Sequence, residues 1–517
     1  MVAAGAHGKF VAMQSAPDAQ PRSTTRHVVV VGGGVSGLAA AEHVTRADPH
    51  ATVTVVEATP RLGGMIHTER AGAYTYEVGA DSVIAAKPAT RELCARLGIA
   101  DRLHGSSTRG AYVYRAGRLR RVPAGLSGLM PTRLRPLATS GILSARGLAR
   151  VAVEPWRPAP ARGGDAQGDD ESIRAFVVRR MGREAYERLV EPLLTGIYAG
   201  DGAQLSIEST FPQLRAIERE HGSLLRGLRA RAAAAPSPNG PAAPPFLSLP
   251  TGLAELVEAL ERALAATGRV RILRDAPVQA LRAPAADGWT TTARVVLETD
   301  PLGTRSLDAD AVIVATPASA AAPLLQAIDA PLAAELGGIA HGSTATVTLA
   351  YALADVPRAL DGTGYVVPRA AGRAVMACTW LSSKWAGRVP DDAALFRLFL
   401  GGADRPDLVG RDEAELTALA RAELREVLGV TAAPRFSRVA RWVDAMPQYT
   451  LGHRDRLARI HARVAAHPWL ALAGNAYQGV GIPDCIRSGQ AAADRVLAAL
   501  RTADAPTRQP ARAAVAA

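Results

Sequence analysis

The stretch RHVVVVGGGVSGLAAAEHVTRADPHATVTVVEA, from Arg26 to Ala58, restricts the fold more than any other part of the 517-residue chain. A valine run ends on glycines, an alanine-rich stretch with helical spacing follows, and a second β-branched run closes on Glu57. Gly32, Gly34 and Gly37 fit the pattern G-x-G-x-x-G. In that pattern the first glycine permits the tight turn, the second lets a pyrophosphate approach, and the third lets helix and strand pack. Glu57 follows Gly37 by 20 residues, where a carboxylate accepts from ribose hydroxyls. The spacing predicts strand, turn, helix and strand at the start of a dinucleotide-binding α/β domain. Its contacts would run through Gly32, Gly33, Gly34, Val35, Ser36 and Gly37.

Two further stretches carry glycines where backbone and ligand would meet. EATPRLGGMIHTE sets Arg61 and the pair Gly63 and Gly64 directly after the acidic residue, and YTYEVGADS supplies Gly79 to Ser82. This arrangement resembles the extended nucleotide motif of the amine oxidase-like flavoproteins, which implies FAD and not a nicotinamide cofactor. Near the other end, LALAGNAYQGVGIPDCIRSG reads as a strand, a glycine turn and a helix. In that superfamily the C-terminal segment returns to cover the flavin. The amides of Val480, Gly481 and Ile482 are then placed at a helix N-terminus, which stabilises negative charge on a reduced ring. The early and late turns are expected to be two halves of one site.

Composition removes several other classes. The net charge of +12 comes with dispersed arginines, and only Lys9, Lys87 and Lys384 are lysines. Without basic blocks interleaved with aromatics, nucleic-acid binding has no support. Cys94, Cys378 and Cys485 lie far apart, which suits a reducing cytoplasm and gives no metal-ligand spacing. No run of 18 apolar residues exists, so a spanning helix is not expected. Residues 1–25 and 503–517 read as disordered tails. EPWRPAPARGGDAQGDD reads as an exposed loop, and Gly227–Pro245 as a mobile linker. Positions from about 105 to 211 read as helical, those from about 340 to 400 alternate as an antiparallel sheet, and a helix returns over 411–428.

Three motifs narrow the family: EPLLTGIYAGDGAQLS, MPQYTLGH and GNAYQGVGIPDCIRSG. Together they resemble the protoporphyrinogen and coproporphyrinogen oxidases of haem biosynthesis, in the expected order from about His27 to Leu500. ATVTVVEATPRLGG and ACTWLSSKW look like the bacterial branch from Gram-positive, actinobacterial-type organisms. The resemblance implies an α/β + α fold. A discontinuous Rossmann-like FAD-binding domain would take 26–82, 247–318 and 437–502. An antiparallel-sheet substrate domain would take 83–104, 213–246 and 319–436, and an inserted helical domain 105–212. The implied reaction is the oxygen-dependent, six-electron oxidation of coproporphyrinogen III, with hydrogen peroxide as by-product; protoporphyrinogen IX is the alternative substrate.

Carried over residue by residue, the family's contacts to non-covalent FAD fall on Gly32 to Gly37, Glu57, Ala58, Met65, Gly79, Ala80, Asp81, Ser82, Val278, Trp442, Val480, Gly481 and Ile482. Met65 replaces a larger or charged side chain of some relatives, and Ala80 replaces a common proline. Lys87 matches a basic side chain that faces a propionate; its other reading is an exposed loop lysine. Val366, Leu381 and Phe399 match apolar cavity positions, and each also reads as ordinary core. No catalytic acid or base follows from the sequence, and His453 reads as a structural hydrogen-bonder. The resemblance implies a porphyrinogen and molecular oxygen as partners, a hand-off to ferrochelatase, a cytoplasmic location and at most peripheral membrane contact. Amine oxidases share the FAD motifs, but the low aromatic content, 4%, argues against their aromatic cage. Non-catalytic escort proteins of the same fold would be expected to lose the second glycine pair and the late loop.

Overall fold

Five parallel strands form the sheet to which the first glycine turn belongs. Their spatial order is Val270–Leu273, Ala51–Val56, Arg26–Val31, Ala311–Val314 and Leu470–Leu472, and every pair runs parallel. The near-continuous valines follow from burial on both faces. Val28 and Val30 pack with the helices Val35–Ala47, Ala254–Ala266 and Ile482–Asp504. Val29 and Val31 face Ala318–Leu325, Ala330–Gly337 and His453–Ala465. The computed structural model describes residues 26–127, 129–158, 170–234, 244–284, 292–297, 306–403 and 405–504. The predicted tails thus fall almost entirely outside the described residues, as do 159–169 of the predicted loop.

A second sheet has seven strands, in the order Phe436–Pro447, His341–Ala352, Ala393–Gly401, Val375–Trp380, Gly364–Val366, Tyr112–Arg115 and Arg118–Arg121. Neighbours are antiparallel except Gly364–Val366 against Tyr112–Arg115. Strand alternation sorts its two faces. Phe396, Leu398 and Leu400 point to the helix Glu413–Leu428, whereas Arg397 and Phe399 point the other way. A helical unit around Phe176, Leu189, Leu194, Leu214 and Leu225 completes the chain. Among the described residues no helix is long and apolar enough to cross a membrane.

Four expectations are corrected. The stretch read as helical from 105 opens instead with the hairpin Tyr112–Arg121, because Tyr-Val-Tyr favours a strand. Ala116 and Gly117, both at positive φ (47° and 77°), supply its two-residue turn. The linker expected from Gly227 begins as helix Leu224–Ala234, since alanine and arginine are strong helix formers; residues 235–243 lie outside the described set. Residues 437–447, expected in the FAD domain, belong to the seven-stranded sheet, and the parallel sheet resumes only at Leu470. Leu93 and Cys94, expected in the substrate domain, are fully buried in the core of the parallel sheet.

Candidate active site

Three of the four turn segments, after Val31, Val56 and Leu472, leave the C-terminal ends of parallel-sheet strands, where open α/β sheets bind ligands. Gly79 to Ser82 follow Tyr74–Glu77 of a separate antiparallel pair. Gly32 donates to Val56 O at 2.8 Å, and Gly33 to Glu57 Oε2 at 2.8 Å. A Cβ on Gly37 would lie 2.0 Å from Gly32 O, so only glycine lets this helix meet its strand. A Cβ on Gly34 would meet nothing nearer than Gly64 Cα at 4.0 Å. The helix Val35–Ala47 starts at Gly34 with no side-chain cap, leaving its first amides and that open space for an anion. These features fit a dinucleotide pyrophosphate.

Backbone bonds gather the next contacts. Glu57 N donates to Leu273 O and Ala276 N to Glu57 O, at 2.8 and 3.0 Å, which brings the segment leading to Val278 beside Glu57. Ala58 is exposed next to it. The Arg61 guanidinium donates to the carbonyls of Leu62, Gly64 and Ile66 and so ties the second glycine loop into shape. That loop meets the first turn through a bridge between Gly34 and Gly63. Gly79 is pinned: a Cβ there would lie 2.0 Å from Met65 O and 3.0 Å from Trp442 Cζ2. Ala80 N donates to Met65 O at 3.2 Å, and Trp442 Nε1 to Val78 O at 3.0 Å. Met65, Gly79, Ala80 and Trp442 therefore sit together although Trp442 belongs to the other sheet.

Beneath this loop runs an ionic network that sequence reasoning missed. Asp81 Oδ2 lies 2.8 Å from Lys384 Nζ and 3.1 Å from Arg397 Nη2, and Ser82 Oγ donates to Asp81 Oδ1. Burial pushes the Asp81 carboxyl up, but Lys384 and Arg397 outweigh it and hold the group well below the usual carboxylate range. Arg397 also donates to the carbonyls of Glu77 and Gly79. Burial dominates at Glu77 and raises its pKa despite Thr68 and Arg388. A lysine at 384 in a chain that otherwise uses arginine was the available signal.

The late turn closes over the same place. The helix Ile482–Asp504 packs along Val35–Ala47, and a Cβ on Gly489 would lie 2.1 Å from Ser36 O. Gly489 is thus a contact residue that the sequence reading left unassigned; a glycine inside a helical stretch was its signal. Ile482 is buried in the core of the parallel sheet, while Val480 packs against the helical unit. Lys87 Nζ pairs with the buried carboxylate of Asp484, in the first turn of that helix. Its side chain remains 39% exposed, which leaves further N–H donors free of this pair.

Register aligns Thr346, Phe399, Ala377 and Val366 across four strands on one face. Val366 packs against the same helical cluster as Val480. Phe399 lies under the Arg397 guanidinium at 4.9 Å. Leu381 is 2% exposed and packs with Tyr76, Val78, Trp385 and Leu395, as core. His453 is buried and stacked on Tyr449 at 4.3 Å. Burial pushes the Cys485 thiol up to about 12, which removes it as a nucleophile.

A family model for flavin-containing amine oxidoreductases matches residues 35–497. The coproporphyrinogen III oxidase of Bacillus subtilis (strain 168) is 34% identical over 482 residues, 91% of this chain and 98% of that protein. That of Propionibacterium freudenreichii is 34% identical and covers 94% of each chain. Human protoporphyrinogen oxidase is 33% identical over 91% of this chain and 98% of its own. A crystal structure assigned to a protoporphyrinogen oxidase of Exiguobacterium sp. 255-15 superposes with a TM-score of 0.79 at 33% identity, covering 92% and 99% of the two chains. Cyclohexylamine oxidase of Brevibacterium oxydans, at 17% identity and a TM-score of 0.64, shares the fold alone.

Proposed function

Because the chain belongs to the porphyrinogen oxidase family within the flavin-containing amine oxidoreductases, we propose that it oxidises coproporphyrinogen III to coproporphyrin III in haem biosynthesis. The overall change removes six electrons and six protons, consuming three molecules of oxygen and releasing three of hydrogen peroxide. FAD, bound non-covalently, would supply the hydride acceptor, and aromatisation of the macrocycle supplies the driving force.

The observation that carries this reading is the meeting of both glycine turns at one sheet edge, with Arg397, two residues from Phe399 on the same strand face, donating to the carbonyl of Gly79. In this assignment Gly32 to Gly37 hold the pyrophosphate, and Glu57, Ala58 and Val278 flank the adenosine. Met65, Gly79 to Ser82, Trp442 and Val480 to Ile482 surround the ring. Val366 and Phe399 form apolar wall for a tetrapyrrole, with Leu381 behind them. Lys87 stands at the rim, where donors not used by Asp484 face a propionate. The side chains bind, orient and exclude water, and none is assigned as acid or base.

Four propionates favour a basic protein of charge +12, and the bacterial relatives named above act on coproporphyrinogen III. Protoporphyrinogen IX is the second reading, because the human relative covers the chain to the same extent. Both substrates, prepared without oxygen and then aerated with the purified protein, decide between them when porphyrin fluorescence and peroxide are followed together. Faster turnover of coproporphyrinogen III is expected. Preference for protoporphyrinogen IX would move the enzyme to the second reading, and turnover of neither by a flavin-loaded protein would refute both.

A further inference from the structure

Behind the late turn lies a cavity of about 400 Å3, bounded by Glu208, Ser209, Pro212, His453, Leu457 and Tyr477. His453 and Tyr477 are 2% and 5% exposed. Yet His453 Nε2, the Tyr477 hydroxyl and Ser209 Oγ have no hydrogen-bond partner among the described residues. Leaving a buried polar atom unpaired costs about 1–3 kcal/mol, so three such atoms at one cavity mark a place that is filled.

The chemistry of the lining selects what fills it. The His453 ring donates to the backbone of Ala476; the nitrogen used is Nδ1, since Nε2 is the one left over. Burial depresses the ring's pKa to about 4, so at neutral pH Nε2 offers a lone pair. Tyr477 keeps its proton, because burial raises its pKa. The carboxylate of Glu208 is already met by Arg219 at 2.6 Å, Arg454 at 3.5 Å and Arg215 at 3.6 Å. Arg215 also meets Glu218 at 2.6 Å. Arg219 and Arg454, the latter at the cavity's rim, extend into solvent, which screens their charge. The cavity atoms left without partners, on His453, Tyr477 and Ser209, are all uncharged. Pro212 and Leu457 supply an apolar wall.

The cavity also touches the flavin-covering loop. His453 stacks on Tyr449 with an interplanar angle of 11°. The Tyr449 hydroxyl donates to Asn475 O and accepts from Gly479 N at 2.9 Å, bracketing the turn that leads into Val480 to Ile482. We propose that this cavity is a second binding site, for a small uncharged molecule with a hydroxyl group on a compact apolar body, and that its occupancy is felt at the flavin loop through Tyr449. The second half rests on the flavin reading above.

Phenol serves as the probe and anisole as its control without a donor, both titrated into the flavin-loaded enzyme by calorimetry. Phenol is expected to saturate one site, with anisole about tenfold weaker, the contribution of one hydrogen bond. Tyr477→Phe should weaken phenol about tenfold, and Ser209→Ala gives the same test should that variant fail to fold. Equal binding of phenol and anisole, or no saturable binding of phenol, would overturn the site and leave a cavity that holds only water. Phenol should also shift the flavin absorption band. Tyr449→Phe should abolish that shift while retaining phenol binding. Phenol binding without a shift in the wild type would overturn the coupling, whereas a colourless protein that binds phenol would overturn the flavin reading and keep the site.

Discussion

The turn after Arg26–Val31 is held mainly by backbone bonds and close packing, with one side-chain bond to Glu57, whereas the turn before the C-terminal helix is held by several side chains, from that helix and from distant segments. In the first, Gly32 N reaches Val56 O, and Gly37 leaves no room for a Cβ. In the second, Ser488 Oγ receives Gly474 N at 3.0 Å, Tyr449 brackets Asn475 and Gly479, and Lys87 and Arg487 meet Asp484. A backbone turn depends on the absence of atoms and fails when one is added. A propped turn depends on their presence and loosens as each is removed.

The largest effect is expected at Gly37. Gly37→Ala puts a methyl against Gly32 O and should cost about 3 kcal/mol or more in urea unfolding of the apoprotein, at the upper end of overpacking. Gly34→Ala has space, so its stability should stay within about 1 kcal/mol while flavin affinity falls at least about tenfold. Equal losses from the two would erase the distinction between packing and approach. Next, Tyr449→Phe removes one donor and one acceptor at the late turn, at a cost of about 2 kcal/mol. Hydrogen exchange should accelerate over 475–482 and stay unchanged at 32–37; uniform acceleration would mean that the props are not local.

The pH response gives an effect of similar size. His453 titrates at about 4 because burial disfavours its charged form. Between about pH 6.5 and 4 the unfolded chain binds a proton that the folded one refuses, so stability falls as pH falls. At pH 5 the loss is about 2 kcal/mol relative to neutral pH. His453→Phe should flatten that part of the urea-denaturation profile, and an unchanged slope would remove His453 as its source. The smallest effect is at Lys87, a partly exposed group. Lys87→Gln should change stability by less than about 1 kcal/mol. It should raise KM for coproporphyrinogen III about threefold and that for protoporphyrinogen IX less. An equal change for both would leave Lys87 with only its structural pair.

Sequence alone reached the early turn because its requirements are local: glycine positions and a carboxylate at fixed spacing within 32 residues, Arg26 to Glu57. The late turn was legible as a glycine loop but its props were not. Tyr449 and Lys87 lie far from it in sequence, and neither carries a mark of what it will touch. The Asp81, Lys384 and Arg397 network was hidden for the same reason, since its members sit on three separate segments. The hairpin Tyr112–Arg121 was missed because eight short, arginine-rich strand residues are outweighed by the helical signals downstream. Gly489 shows the limit from the other side: its role depends on a helix crossing with Ser36 that no local pattern encodes.

The most direct test of the paired-turn account is the flavin content of the purified protein before and after denaturation. One FAD per chain, released intact on unfolding and lost from Gly34→Ala, is the predicted result. A colourless protein, or flavin that stays attached through denaturation, would contradict it.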